Sequence, residues 1–289
     1  MLKVIFWLCF GAVAYNYAGY PLLLFAVSML VQAKSDVRYL INRRSRRRVL
    51  RTESVPRVAV LLAVYNEETV IHAKAQNCLE IDYPEDRLEF LIGLDAPTDS
   101  TADQIAQVQQ DRLRVFQFSE RRGKLAVLCD LARKTSAEIL VLTDANTMLE
   151  RGAVRNLVRH FADPRIGAVS GEEIRVAVAA TETGAEGLYW RYESAVKILE
   201  NRLNCSLGGN GAALAVRRSL FNPQKDLIVE DFQIPLEIRF QGHRVVYDPE
   251  AIAFHEDHSS FWILLASSKR RSRECTYRSC HNQLSTLYL

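Results

Sequence analysis

Val58-Ala59-Val60-Leu61-Leu62-Ala63-Val64 is apolar at every position and then breaks into Tyr65-Asn66-Glu67-Glu68. A strand with one wet face would alternate. An unbroken apolar run is what a strand needs when helices cover both of its faces. Leu88–Leu94, Leu113–Phe116 and Ile139–Leu142 are further candidate strands. Between them, Glu67–Leu79, Ser100–Gln110 and Lys124–Thr135 have helical composition and length. Repeated strand–helix–strand units predict a mainly parallel, right-handed α/β sheet flanked by helices.

Ligands of such sheets bind outside the carboxyl ends of the strands, and the polar motifs fall there. Tyr65-Asn66-Glu67-Glu68 follows the first strand, Asp95 ends the second and Asp144 follows the fourth. No Gly-x-Gly-x-x-Gly turn and no Walker-type loop follows the first strand, which weighs against a dehydrogenase or a P-loop enzyme.

The amino terminus reads differently. Val4 to Ala33 carries no acid or base other than cysteine and tyrosine. It is long enough for one tilted or Pro21-kinked transmembrane helix, which needs about 20 apolar residues. Lys34, Arg38, Arg43, Arg44, Arg46, Arg47, Arg48 and Arg51 follow it, against Lys3 alone on the other side. The positive-inside rule puts the amino terminus outside and the remainder in the cytoplasm. A signal peptide fits less well, because the stretch is long and no small-residue cleavage site follows. The net charge of +3 is too small to argue for nucleic acid, and an arginine run just inside a span suits anionic lipid headgroups. Membrane lipids are the expected partner there, and nucleic acid is not. The six cysteines show no metal-type spacing and read as free thiols. The organisation expected is an anchor over 1–33, a basic linker over 34–56, an α/β domain over 57–257 and an interfacial, arginine-rich segment over 258–289.

Each motif has a chemical reading and a plain one. Asn66 and Glu67 suit a nucleoside contact or helix capping. Asp95 is placed to accept from a base or ribose, whereas Asp99 and Ser100 read as a cap. Arg121-Arg122-Gly123-Lys124 is either a charged surface turn or a phosphate site at a helix start. Thr143-Asp144-Ala145-Asn146 delivers a carboxylate and an amide straight out of the core. Magnesium and manganese take such oxygen ligands together with substrate phosphates. Gly208-Gly209-Asn210-Gly211 permits close backbone approach. Glu230-Asp231 opens a helix-like segment and offers an acid able to take a proton. His255 is a possible late metal ligand or a packed side chain. Leu188–Leu199, with Tyr189, Trp190 and Tyr192, is read as a core-packing helix ahead of an acceptor-side one. Lys269-Arg270-Arg271-Ser272-Arg273 matches phosphate oxygens or a membrane interface.

In this order the motifs resemble the family 2 glycosyltransferases with a GT-A fold, in particular their membrane-anchored, cellulose-synthase-like branch. The likeness covers about Val58 to Arg273, including Gly209-Asn210-Gly211-Ala212 and Tyr247-Asp248-Pro249-Glu250-Ala251. It implies inverting transfer from a nucleotide sugar, commonly a UDP-sugar, to a glycan or lipid-linked acceptor. Tyr65, Asn66, Glu67, Asp95 and Lys124 would contact the nucleotide. Asp144, Asn146 and His255 would sit at the diphosphate and its Mg2+ or Mn2+, with Arg271 and Arg273 as a clamp. Gly209, Asn210, Gly211 and Glu230 would line the acceptor or donor sugar, and Asp231 would be the base. Asn146 departs from the usual second aspartate, which makes it a weaker ligand. Gln-x-x-Arg-Trp is replaced by Arg271-Ser272-Arg273-Glu274, which argues against long-chain polymerisation. The resemblance implies further membrane helices past this point, so a sequence ending at Leu289 reads as a short or incomplete member. Two rivals stand beside it: a nucleotidyltransferase, for which Tyr65–Glu68 is the wrong chemistry, and a non-catalytic membrane subunit, against which Glu230-Asp231 argues.

Overall fold

The computed structural model describes residues 1–42, 55–108, 111–175, 185–206, 209–223 and 230–255. It begins with helices α1 (Leu2–Ala14) and α2 (Tyr20–Asn42), joined by a π-helical turn over Tyr15–Gly19. Pro21 explains the turn. It has no N–H for the Tyr17 carbonyl, and its ring crowds the preceding turn. The ladder widens there, and the Tyr20 N–H reaches back to the Tyr15 carbonyl. The apolar stretch Leu2–Lys34 is 33 residues of continuous helix, about 50 Å at 1.5 Å per residue. It is long and apolar enough to cross a membrane, and it is the only such helix among the described residues.

The α/β domain holds one eight-stranded sheet in the order β3-β2-β1-β4-β7-β6-β8-β5. Its strands are β1 (Val58–Val64), β2 (Leu88–Asp95), β3 (Leu113–Phe118), β4 (Ile139–Leu142), β5 (Thr147–Leu149), β6 (Ile166–Arg175), β7 (Leu214–Arg217) and β8 (Arg244–His255). The helices are α3 (Ile71–Leu79), α4 (Thr101–Ala106), α5 (Lys124–Arg133), α6 (Ala153–Val158), α7 (Ala185–Arg202) and α8 (Glu230–Phe240). The first four strands are mutually parallel. β7 runs antiparallel between β4 and β6, and β5 runs antiparallel to β8. The architecture is a mainly parallel sheet with flanking helices, preceded by one long apolar helix.

The two cores explain the apolar run in β1. Val58, Val60, Leu62 and Val64 enter one cluster with Ile71, Ala75 and Cys78 of α3 and Ala153, Val154 and Leu157 of α6. Ala59 and Leu61 enter the other with Leu125, Val127, Leu128 and Leu131 of α5 and Ile234 and Ile238 of α8. Burying each such Val or Leu contributes about 1.5–3 kcal/mol. Gly93 of β2 is required by the second layer, because a Cβ there would meet Val127 Cγ1 at 2.3 Å.

Helix boundaries differ from the sequence expectation. α3 begins at Ile71 rather than Glu67, because Asn66 turns at φ +52° and Glu67–Val70 form a turn before the helix. α4 ends at Ala106, short of Gln110. α7 covers Leu188–Leu199 and packs against β8 and α2. The Asn201 side chain bridges both backbone groups of Tyr247, donating to its carbonyl at 3.0 Å and accepting its N–H at 3.1 Å. Tyr20 donates to Glu200 Oε1 at 2.7 Å, while Leu24 and Ser28 of the same α2 face are buried.

Candidate active site

Strand register gathers the motifs at one edge. Val64 aligns with Leu94 and Asp95 with Phe118, so β1, β2 and β3 end nearly level. β4 stops at Leu142 opposite Leu61, three residues short of the end of β1 on the same edge. β7 is antiparallel to β4 and pairs Leu214 with Leu142, which brings the preceding Gly209–Ala213 to the same edge. β8 ends there too, its His255 opposite Thr147 of β5. A recess of about 550 Å3 lined by Glu80, Asp82, Glu85, Arg112 and Arg151 lies instead near the amino ends of β2 and β3. It holds none of the motif residues.

At the end of β1, Asn66 is spent on its neighbours. Its Oδ1 accepts the Thr98 N–H at 2.8 Å and its Nδ2 donates to Thr98 Oγ1 at 3.0 Å. Glu68 and Asp99 brace the adjoining loops. Glu68 Oε2 accepts the Ser100 N–H and hydroxyl at 3.0 and 2.6 Å, and Asp99 Oδ2 accepts the Glu68 N–H at 3.2 Å. The Ser100 bonds hold the Glu68 carboxyl below the usual carboxylate range. The Glu67 N–H donates to Thr101 Oγ1 at 2.8 Å. Tyr65 stays at the rim, with the Arg121 guanidinium 3.9 Å over its ring.

Asp95 is 3% exposed. Its two oxygens accept the N–H groups of Arg122 and Gly123 at 2.7 and 2.8 Å. The carboxylate therefore shapes the basic turn before α5, and Gly123 at φ +85° lets that turn close. The basic turn itself divides. The Arg122 guanidinium pairs with Asp130, away from the motifs. Lys124 Nζ lies 2.7 Å from Asp144 Oδ1, both side chains about one-third exposed.

Asp144 and Asn146 occupy a tight turn between β4 and β5. Thr147 closes it, its hydroxyl donating to the Asp144 carbonyl at 3.0 Å. Beneath it lies Lys74 of α3, fully buried, donating from Nζ to Thr143 Oγ1 at 3.0 Å and to the Thr147 carbonyl. His255 Nδ1 is 3.2 Å from Glu173 Oε1. Among the described residues no three of His, Cys, Asp and Glu converge as a metal cage. Asp144, one-third exposed and paired with the Lys124 ammonium, offers a single carboxylate at this turn. Such a carboxylate would suit a divalent ion that takes its remaining ligands from phosphate oxygens and water.

The last pair is the closest. The Gly209 N–H donates to the Asp231 carbonyl at 3.0 Å. A Cβ on Gly211 would lie 2.3 Å from Asp231 Oδ1 and 2.8 Å from Oδ2. The Asp231 carboxylate at the start of α8 thus occupies the space a side chain at 211 would need. Asn210 Oδ1 accepts the Ala212 N–H at 3.0 Å and sets the turn. The Glu230 side chain, and Arg271 and Arg273 with the rest of 256–289, lie outside the described residues.

Two features escaped the sequence reading. Lys74 was hidden in the apolar stripe Ile71–Lys74–Ala75–Cys78. Asp248, quoted as part of a motif, is a buried clamp. It takes Arg159 through Nε at 3.0 Å and Nη2 at 2.7 Å, and His160 Nε2 at 2.7 Å. Burial alone would raise its carboxyl. The His160 hydrogen bond and the charges of Arg159 and His160 outweigh burial and hold it low.

With this geometry in view, the comparisons agree. Residues 56–275 match the family model described as glycosyltransferase like family 2. The chain is 25% identical over 231 residues to a poly-beta-1,6-N-acetyl-D-glucosamine synthase of Staphylococcus aureus, covering 76% of this chain and 54% of that protein. It is 27% identical over 240 residues to a beta-monoglucosyldiacylglycerol synthase of Nostoc sp., covering 78% and 50%. The chain thus spans about half the length of the curated relatives it matches. Among solved structures, a mannosyltransferase of Pyrobaculum calidifontis in complex with GDP-Man and Mn2+ superposes with TM-score 0.63 at 25% identity, covering 81% of this chain and 67% of that one. GalNAc-T7 with UDP, GalNAc and Mn2+ shares the fold at TM-score 0.54 and 14% identity, covering 71% and 44%. Both neighbours are Mn2+ complexes. The strand-end motifs, the sheet that gathers them and the family match over most of the chain lead to one conclusion: this chain belongs to glycosyltransferase family 2 and has the GT-A fold.

Proposed function

We propose that the chain is a membrane-anchored, inverting glycosyltransferase of the cellulose-synthase-like branch. It moves a sugar from a nucleotide donor, a UDP-sugar, to a glycan or lipid-linked acceptor in cell-envelope or extracellular polysaccharide synthesis. The observation that carries the reading is the Asp231 carboxylate seated in the side-chain-free notch of Gly211, on the sheet edge that also holds the Lys124–Asp144 pair.

In this mechanism Tyr65, Glu67 and Asp95 hold the nucleoside end of the donor, Asp95 chiefly by fixing the 121–124 turn. Asp144 and Asn146 would hold a divalent ion, with His255 as a further candidate. When bound, that ion supplies positive charge to the diphosphate. Lys124 leaves Asp144 for a phosphate oxygen as the donor arrives, and Arg271 and Arg273 add donors there. Gly209, Asn210, Gly211 and Glu230 line the sugar side. Asp231 takes the proton of the acceptor hydroxyl as that oxygen attacks the anomeric carbon. The bond from that carbon to the diphosphate oxygen breaks on the opposite face, and the nucleoside diphosphate leaves with the electron pair.

The helix Leu2–Lys34 anchors the enzyme in the inner membrane. Its amino terminus lies outside, and the domain lies on the cytoplasmic side with the basic residues. One relative named for a polysaccharide and one named for a glycolipid support an acceptor of either class. The test is transfer of radiolabelled sugar from nucleotide donors to membrane extract. Asp231→Asn is expected to abolish transfer while donor binding persists. Equal loss of binding and turnover would remove Asp231 as base.

A further inference from the structure

Lys74 is among the largest fully buried side chains of the protein, and it is charged chemistry in an apolar stripe. An ammonium taken out of water is costly unless its hydrogen bonds are met. A methionine would fill the same space without that cost, so packing does not account for a lysine here. Its burial pushes the ammonium below the usual lysine range, while the Cys78 and Asp144 charges oppose that shift. The contacts indicate what it does. Nζ reaches Thr143 Oγ1 at 3.0 Å on the β4 side of the turn and the Thr147 carbonyl on the β5 side. The two threonine hydroxyls are 3.3 Å apart, and both residues are 1% exposed. Thr147 in turn holds the Asp144 carbonyl. One side chain from a different helix therefore ties together both ends of the segment that carries Asp144 and Asn146.

We propose that Lys74 is a positioning residue for the diphosphate and metal turn, setting the placement of Asp144 and Asn146 by bridging Thr143 to Thr147. The inference rests on the proposed role of that turn. It also explains how a turn with one carboxylate and one amide holds a divalent ion. A weak ligand set depends more on being held in place, because each ligand must already point at the ion.

The test uses the full chain in detergent. Mn2+ is titrated in the presence of the nucleoside diphosphate of whichever donor the wild type turns over, with free Mn2+ followed by electron paramagnetic resonance. Lys74→Met is expected to raise half-saturating Mn2+ and the donor KM about tenfold, as loss of a supporting contact does at metal sites. The acceptor KM should be unchanged. Lys74→Gln retains N–H donors and should recover most of the loss, a rescue that simple space-filling would not predict. Circular dichroism checks folding. Should Lys74→Met fail to fold, Thr143→Val decides the matter, since it removes one acceptor and leaves the lysine in place. A Mn2+ midpoint in the folded variant equal to the wild type would overturn the role of Lys74. Wild-type protein that binds donor identically in Mn2+ and EDTA would instead refute the metal reading on which it rests.

Discussion

Gly211→Ala separates the position of Asp231 from its chemistry. Gly211 has an ordinary negative φ, so alanine brings no backbone strain. The new methyl would lie 2.3 Å from Asp231 Oδ1, 2.8 Å from Oδ2 and 2.8 Å from Cγ. Restoring ordinary contact requires the carboxylate to retreat by about 1 Å. What is displaced is the free end of a side chain, so stability should fall by less than about 1 kcal/mol. A misplacement of about 1 Å at reacting groups costs on the order of 100-fold in rate. The assay is kcat at saturating donor and acceptor, with donor affinity and Tm measured in parallel. The expected result is a kcat drop of about 100-fold with donor affinity and Tm near wild type. A Gly211→Ala enzyme within twofold of wild type, alongside a dead Asp231→Asn, would refute the argument that this notch positions the base.

Other outcomes follow from the same geometry. Asp144→Ala should weaken donor binding in Mn2+ and leave the residual binding in EDTA unchanged, read by calorimetry; equal affinity in both conditions for wild type and variant would take Asp144 out of the site. Lys124→Met removes both the partner of Asp144 and the proposed phosphate contact, so donor KM should rise with little change in acceptor KM, measured by initial rates. Asp248→Asn should cost about 2–3 kcal/mol, less than the roughly 3–5 kcal/mol of a fully buried broken pair because Arg159 is one-third exposed. The folded Asp248 carboxyl lies below its unfolded value. Its contribution is therefore complete above the ordinary Asp range near about 4 and is lost as pH falls through the folded value. The Tm gap between wild type and Asp248→Asn should narrow as the pH falls below about 4. A gap that widens in acid would reverse the sign of the assigned shift.

The legible part of this protein was the part with period. β1, β2 and β4 are buried on both faces, so their apolar runs stand out, and their polar successors fall at one edge by topology alone. β7 is only Leu214–Arg217, and β8 carries Asp248 and Pro249 at a register shift. Short or bulged strands leave little trace, so the antiparallel half was not read. Asp231 and Gly211 were both singled out, yet their contact depends on how α8 approaches the 209–213 turn, which no local pattern encodes. Lys74 was illegible for the opposite reason. In one dimension it interrupts an amphipathic stripe, and only the fold reveals two oxygens waiting at the end of it. Asp95 and Asn66 occupy the expected edge, but their hydrogen bonds go to the protein's own loops. Under the proposed function, their part in donor binding would be to build the surface.

The most direct test of the account is donor binding by the detergent-solubilised protein, run against UDP-, GDP- and dTDP-sugars in Mg2+, Mn2+ or EDTA. The account predicts selective, metal-dependent binding to one nucleotide class, UDP-sugars first, and loss of the metal dependence in Asp144→Ala. Metal-independent binding, or no binding to any donor by a folded sample, would contradict it.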